Sequence, residues 1–241
     1  MIGRSAVLTQ GLVKRYGKCR ALDGFTLDVP SGCVMGLVGP NGAGKTTWMM
    51  TVAGLLRAES GTVGLFGTAQ AFDASVHSGR LSILPQDSEL PLESTPEEFL
   101  YGLARLQGLS AAEARAAVRE VLDAVHLADR VRTSIRALSH GMRKRLMAAQ
   151  CFLGRPELVL LDEPMNGLDP EEAARFRELI RTRAGSATVV ISSHNLSDLE
   201  KLCTHITFVR DGKAVKTASV RELTENGGTL EDAYLGQDWR G

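Results

Sequence analysis

The chain has 241 residues, of which 44% are hydrophobic and 23% charged, and its 28 basic side chains balance its 28 acidic ones. These proportions are typical of a folded globular protein and exclude disordered and fibrous classes. Zero net charge argues against a nucleic-acid partner, and no run approaches the ~18 apolar residues that a membrane-spanning helix needs. We therefore expect one α/β domain in the cytoplasm, without a secretion signal.

The first β-type segments differ in pattern. Residues 6–8 and 25–29 flank a turn-rich middle, and residues 61–66 alternate similarly, which predicts an antiparallel β-layer. Residues 33–38 instead form a continuous apolar run, typical of a strand that is buried on both faces of a parallel sheet. Because such runs recur at 158–161 and 188–191, we predict a mainly parallel central sheet beside the antiparallel layer.

A glycine-rich segment lies between the run at 33–38 and an apolar helix predicted over 47–56. It fits the pattern G-x-x-x-x-G-K-[ST] with Gly39, Pro40, Asn41, Gly42, Ala43, Gly44, Lys45 and Thr46, and Thr47 follows it. Glycines let backbone N–H groups approach phosphate oxygens, and the helix N-terminus favours an anion. Lys45 offers charge to the β- and γ-phosphates, and the Thr46 hydroxyl is placed to bind Mg²⁺. This phosphate-binding loop (residues 39–46) alone leaves kinases, GTPases and ATPases open.

From about residue 94 to residue 150 the sequence becomes helical in character. Thr95 and Pro96 followed by two glutamates are typical of a helix start, and residues 111–125 place apolar side chains at helical spacing. We interpret residues 94–150 as a helical subdomain within an α/β core formed by residues 1–93 and 151–241. Within the second part of this core, residues 205–215 predict a hairpin that turns at Asp211 and Gly212.

Four cysteines are scattered along the chain without the C-x-x-C spacing of a zinc or redox site. They are Cys19, Cys33, Cys151 and Cys203. We interpret them as reduced thiols in or near a core.

The predicted strand at 158–161 ends in two adjacent carboxylates, Asp162 and Glu163. Asp162 can hold Mg²⁺ through water, and Glu163 can accept a proton from an attacking water molecule. By itself the pair could be an ordinary acidic strand end. Together with the phosphate-binding loop, it predicts hydrolysis of a nucleoside triphosphate.

Residues 138–142, with the sequence L-S-H-G-M, precede this strand at the start of a predicted helix. Here the chain resembles the ATP-binding cassette (ABC) family, whose signature is Leu-Ser-Gly-Gly-Gln, although His140 and Met142 depart from that pattern. The remaining landmarks match the family in sequence order and are Tyr16, Gln86, Asp169 and His194. Singly, they could be a strand-end aromatic, a loop amide, a helix cap and a hydrogen-bonded histidine. The resemblance covers residues 5–235.

This resemblance implies a P-loop NTPase fold and two nucleotide-binding domains that pack head to tail around two ATP molecules. By resemblance, Tyr16 stacks on adenine, and Lys45 and the loop amides hold the phosphates. Mg²⁺ is organised by Thr46, Gln86 and Asp162, while the hydrolytic residues are Glu163 as general base, Gln86 and His194 at the γ-phosphate. Residues 138–142 form the signature segment, and Ser139 and Gly141 of the opposing chain would touch the γ-phosphate. Asp169 is a further implied nucleotide contact. Because Ser139 and Gly141 are retained, we expect a working signature with altered detail.

The resemblance also implies partners. The chain looks most like the separate ATPase subunits of bacterial exporters of the ABC-2 class, held on the inner face of the cell membrane by a permease and paired with an identical or different nucleotide-binding domain. Gln86 and the helical subdomain would face the permease, with Phe99, Leu100, Tyr101 and Leu103 as candidate contacts, although packing inside the subdomain is the alternative for at least half of these. Alternative functions are a non-transport ABC ATPase acting on nucleic acid or ribosomes, and a small-molecule kinase, which would leave residues 138–142 and His194 unexplained.

Overall fold

Two β-sheets form the framework of the chain. A computed structural model describes residues 5–69, 79–225 and 227–236. The antiparallel sheet has the order β2-β1-β4-β5, with β1 Ser5–Tyr16, β2 Cys19–Pro30, β4 Ser60–Leu65 and β5 Thr68–Ala69. The central sheet has the order β10-β9-β3-β8-β7-β6, with β10 Lys213–Ser219, β9 His205–Arg210, β3 Val34–Val38, β8 Thr188–Ser193, β7 Leu158–Asp162 and β6 Leu81–Leu84. Only the β9–β10 pair of this sheet is antiparallel, which confirms the predicted α/β fold.

The helices after the first begin at side-chain caps that the sequence supplies, whereas the first follows Gly44 without such a cap. In chain order the helices are α1 Lys45–Val52, α2 Pro96–Leu106, α3 Ala111–Ala124, α4 His140–Cys151, α5 Pro170–Ala184, α6 Leu196–Leu202, α7 Val220–Thr224 and α8 Leu230–Leu235. Thr95 caps α2 and Ser110 caps α3, each in a box with a glutamate three residues later, and proline opens α2 and α5. Among the described residues, no helix combines the length and apolar character needed to cross a membrane.

The central sheet is covered on both faces, which explains its continuous apolar strands. On one face, Val159 and Leu161 of β7 join a hydrophobic cluster with helices α2 to α6. On the other face, Leu158 and Leu160 join α1 and the antiparallel sheet. Every residue of β3, β7 and β8 is consequently buried.

Several local predictions need correction. β1 and β2 form one long hairpin, in which β1 continues to Tyr16 and β2 begins at Cys19. The segment between residues 8 and 25, which we predicted to be rich in turns, is therefore mostly strand. Helix α1 begins two residues before the predicted start at Thr47 and ends at Val52 instead of residue 56, because Gly54 adopts a φ of 75° that no right-handed helix accommodates. Strand β6 had no predicted counterpart.

Two predictions about side-chain burial are also corrected. Leu100 is completely buried in the core beside the other helices, so it cannot belong to a permease-facing surface, whereas Phe99, Tyr101 and Leu103 are partly buried. The four cysteines are free thiols, but Cys19 is exposed and only the other three lie in the core. Burial raises the pKa of the Cys33 thiol to about 11, so this thiol stays protonated at neutral pH.

Candidate nucleotide-binding site

The predicted site residues meet at the carboxyl ends of the parallel strands. The phosphate-binding loop follows β3, Gln86 follows β6, and His194 follows β8, while β7 ends in the two carboxylates. These strand ends share one edge of the sheet and border a cleft of about 450 Å³. The cleft is lined by Tyr16, Cys19, Ala21, Asn41, Gly42, Ala43, Gly44, Lys45, Thr46, Thr47, Gln86, Asp162, Glu163, Asn166 and His194.

The phosphate-binding loop takes its shape from its glycines. Gly44 has a φ of 109°, and a Cβ at this position would lie only 2.4 Å from the Ala21 carbonyl oxygen of β2. Only glycine satisfies both the backbone angle and the close approach. The loop therefore turns directly into α1, whose first residues line the cleft, and a helix N-terminus favours an anion.

Lys45 is a buried cation at the start of α1. Its ammonium donates to the carbonyl oxygens of Gly39, at 2.7 Å, and Pro40, at 3.1 Å. These two loop residues therefore contact Lys45, although they do not line the cleft themselves. Burial lowers the pKa of the Lys45 ammonium, while the negative charges of Glu163 and Asp162 act in the opposite direction. A phosphate group would offer this ammonium a charged acceptor in place of neutral carbonyls.

Ser192, at the end of β8, organises the two carboxylate residues of β7. Its hydroxyl donates to Asp162 Oδ1 and accepts a hydrogen bond of 2.8 Å from the backbone N–H of Glu163. Asp162 and Ser192 are direct partners in the register of β7 and β8. One hydroxyl thus fixes both the Asp162 carboxylate and the backbone that carries Glu163.

Glu163 is held in an unusual backbone conformation beside His194. Its φ is 48°, in the left-handed region that non-glycine residues rarely occupy, and such angles concentrate at functional sites. Its Oε2 lies 3.0 Å from His194 Nδ1, and its side chain is 9% exposed against 60% for His194. The carboxylate is therefore sheltered yet open to the cleft, as a base acting on a water molecule requires.

The residues present fit a Mg²⁺ ion. Asp162 Oδ2 is buried and has no hydrogen-bond partner among the described residues, which is costly for a carboxylate unless a cation accompanies it. Thr46 and Gln86 add neutral oxygen ligands in the same cleft. In the described part of the chain, no group of three or more His, Cys, Asp or Glu side chains could hold a metal. Mg²⁺ suits this arrangement because it typically takes one or two carboxylates and completes its shell with phosphates and water.

Besides Gly39 and Pro40, three predicted nucleotide contacts lie outside this cleft. Ser139 caps α4 by accepting a 3.2 Å hydrogen bond from the N–H of Met142, and Gly141 follows in the first turn. His140 is helical and needs no glycine-like angle, so its substitution does not distort the segment. Asp169 caps α5 by accepting from the N–H groups of Glu171 and Glu172, the ordinary role that its position before Pro170 allows.

Some residues of the site were not predicted. Ser192 was not predicted, although its place at the end of an apolar strand was a signal that it could reach another strand end. Cys19 and Asn166 line the cleft, yet nothing in their local sequence marked them.

Comparisons with known proteins agree with this geometry. A family model described as "ABC transporter" matches residues 22–166. A daunorubicin resistance ATP-binding protein of Streptomyces coeruleorubidus is 36% identical over 96% of this chain and 74% of its own length. A Nod factor export ATP-binding protein I of Ralstonia nicotianae is 33% identical over 92% and 70%, respectively. Among solved structures, an ATP-binding subunit of an ABC transporter superposes with a TM-score of 0.85 at 26% identity, covering 96% of this chain and 99% of that one. The chain belongs to the ABC transporter family, as an ATP-binding subunit.

Proposed function

We propose that this chain hydrolyses ATP with Mg²⁺ as one of two paired nucleotide-binding domains, and that the pair drives a separate export permease. The observation that carries the proposal is the position of Glu163, sheltered, 3.0 Å from His194 and next to the Mg²⁺-competent Asp162. Phosphoryl transfer to water needs a residue that positions or deprotonates the water, a carboxylate that binds Mg²⁺ and a cation at the phosphates, and Glu163, Asp162 and Lys45 would supply these.

The reaction converts ATP and water into ADP and inorganic phosphate. Glu163 accepts a proton from the attacking water molecule. His194 contacts Glu163 and binds the γ-phosphate. Lys45 balances the charge of the β- and γ-phosphates, and Tyr16, 53% exposed at the end of β1, offers its ring to the adenine. Mg²⁺, held by Thr46, Gln86 and Asp162, would neutralise phosphate charge.

The residues outside the cleft support the proposed pairing of two domains. Ser139 and Gly141 occupy the N-terminus of the twelve-residue helix α4, where backbone N–H groups and the helix dipole favour an anion. Because they do not line the cleft of their own chain, we propose that they meet the γ-phosphate held by a second domain.

The permease partner is proposed from the relatives, whose names describe daunorubicin resistance and Nod factor export. We propose that Gln86 and the helical subdomain of residues 94–150 face this permease and hold the chain at the membrane. Phe99, Tyr101 and Leu103 on α2 remain candidates for the contact, since they are only partly buried.

The variant Glu163→Gln tests the catalytic assignment. It keeps the size of the side chain and removes the base, so ATP binding should persist while turnover falls by about 10²–10⁴-fold. Glu171→Gln is the matched control, because Glu171 is 76% exposed on α5 and pairs only with Arg175 among the described residues. Near-normal hydrolysis by Glu163→Gln would overturn the assignment.

A further inference from the structure

A buried ion pair fastens the helix of the signature segment to α5. Arg145 of α4 and Glu172 of α5 place Nε and Oε2 3.0 Å apart, and their side chains are only 7% and 16% exposed. The two atoms do not meet the geometry of a hydrogen bond, so the contact is held by charge. Arg145 also donates from Nη1 to the Val125 carbonyl oxygen, at 2.7 Å, and more weakly to that of His126. One side chain therefore connects the end of α3, the helix α4 and the first turn of α5.

Gly141 of the signature segment lies directly against the same glutamate. A Cβ at position 141 would be 2.7 Å from Glu172 Cδ and 2.8 Å from its Cγ, closer than carbon atoms approach. The Glu172 side chain could move aside only by leaving Arg145 and the more distant Arg175, 3.6 Å from Oε1. A side chain at position 141 would therefore displace Glu172 from its present contact with Arg145, whatever ligand the segment binds.

The residues just before α4 are fixed from the other side. Arg143 folds back so that its Nε donates to the Leu138 carbonyl oxygen at 3.0 Å and its Nη2 to that of Arg136 at 3.2 Å. With this side fixed, the orientation of Ser139 and Gly141 depends on how α4 is seated on α5. Arg145 and Glu172 form a charged contact between the two helices next to Gly141.

We infer that Glu172 and Arg145 are positioning residues that set how Ser139 and Gly141 are presented to the ATP of a second domain. This inference rests on the proposed pairing of domains. Buried ion pairs add little net stability compared with apolar packing, so geometry is the property that this pair supplies. A displacement of about 1 Å in a site can cost 10²-fold in rate, and a loosened α4 would produce such a displacement.

Glu172→Gln tests the inference in a Glu163→Gln background, where ATP is retained. The measurement is the dissociation constant of ATP-induced dimers, obtained by sedimentation with Mg²⁺ and ATP over a series of protein concentrations. We expect Glu172→Gln to weaken pairing at least about 10-fold, a change of about 1.4 kcal/mol. Binding of a fluorescent ATP analogue to the single chain should stay within twofold, since the cleft does not include Glu172.

Glu120→Gln is the matched control. Glu120 also joins the helical subdomain to α5, through Arg183 at 2.6 Å, but at the end of α5 away from the signature segment. It should lose stability without losing pairing. Equal weakening by Glu120→Gln, or unchanged pairing in Glu172→Gln, would overturn the inference.

Two further results keep the test decisive. If the Glu163→Gln parent binds ATP but never pairs, the proposed pairing fails and this inference fails with it, whereas a pairing parent isolates the role of Glu172. If Glu172→Gln does not fold, Glu172→Asp retains the charge and withdraws it from Arg145 and Gly141. Pairing of Glu172→Asp as tight as in the parent would again overturn the positioning role.

Discussion

Ser192→Ala should destabilise the chain by an amount that can be worked out from its contacts. The hydroxyl is completely buried and donates to a carboxylate that is itself only 3% exposed. A hydrogen bond to a charged group contributes about 1.5–3 kcal/mol, and the N–H of Glu163, left without its acceptor, costs about 1–3 kcal/mol. Because Asp162 Oδ2 has no partner among the described residues, the carboxylate has no second bond to fall back on. Together the two contributions give an expected loss of about 2.5–6 kcal/mol, which at about 2–4 °C per kcal/mol lowers Tm by roughly 5–24 °C for a chain of this size.

Urea denaturation in EDTA, without nucleotide, measures this loss. The matched control is Ser193→Ala, because Ser193 is also buried but its hydroxyl makes, among the described residues, only the 3.0 Å hydrogen bond that it accepts from the N–H of Asn195. The control should lose about 1 kcal/mol. If the two alanine variants lost the same free energy of unfolding, Ser192 would not be the organiser of the two carboxylate residues.

Two other predictions concern the loop and the helix caps. Gly44→Ala should abolish binding of a fluorescent ATP analogue, because a Cβ would meet the Ala21 carbonyl oxygen at 2.4 Å; binding at wild-type affinity would refute the stated role of the loop geometry. Hydrogen bonds from the backbone and hydroxyls of Thr95 and Ser219 hold the pKa values of Glu98 and Glu222 below their ordinary value of 4.5, so these carboxylates stabilise the folded chain above about pH 4.5 and lose that contribution as pH falls further. The measurement is the urea midpoint at a series of pH values from roughly 6 to roughly 3, which brackets the titration of carboxyl groups. As the pH falls, the midpoint should decline less steeply in the Glu98→Gln/Glu222→Gln double variant than in the unmodified chain. An equal decline in the two would contradict this assignment.

The sequence predicts most of the site because its signals are local. The loop at 39–46, the pair Asp162–Glu163 and His194 each follow an apolar run within a few residues, and parallel strands bring such ends together. Contacts between distant segments carry no local signal. Ser192 reaches Asp162 only because β7 and β8 are neighbours, and β6 is recognisable only once it pairs with β7, far along the chain.

The same reasoning explains the remaining errors. Leu100 is one of several apolar residues on α2, and whether it faces a partner or the core depends on how α2 packs against α3 and α4. Cys19 resembles any small residue in a turn, and it becomes part of the cleft only because β2 returns beside Tyr16. The link between Arg145 and Glu172 likewise depends on the packing of two helices and cannot be inferred from either segment alone.

The mass of the Glu163→Gln chain with and without Mg²⁺ and ATP tests the central claim most directly, since that claim is that one chain holds only part of a hydrolytic site. Sedimentation should show a single chain without nucleotide and a doubled mass with ATP, because the signature segment of each chain would contact the ATP of the other. A chain that binds ATP tightly yet keeps the mass of one chain at every ATP and protein concentration would contradict the account.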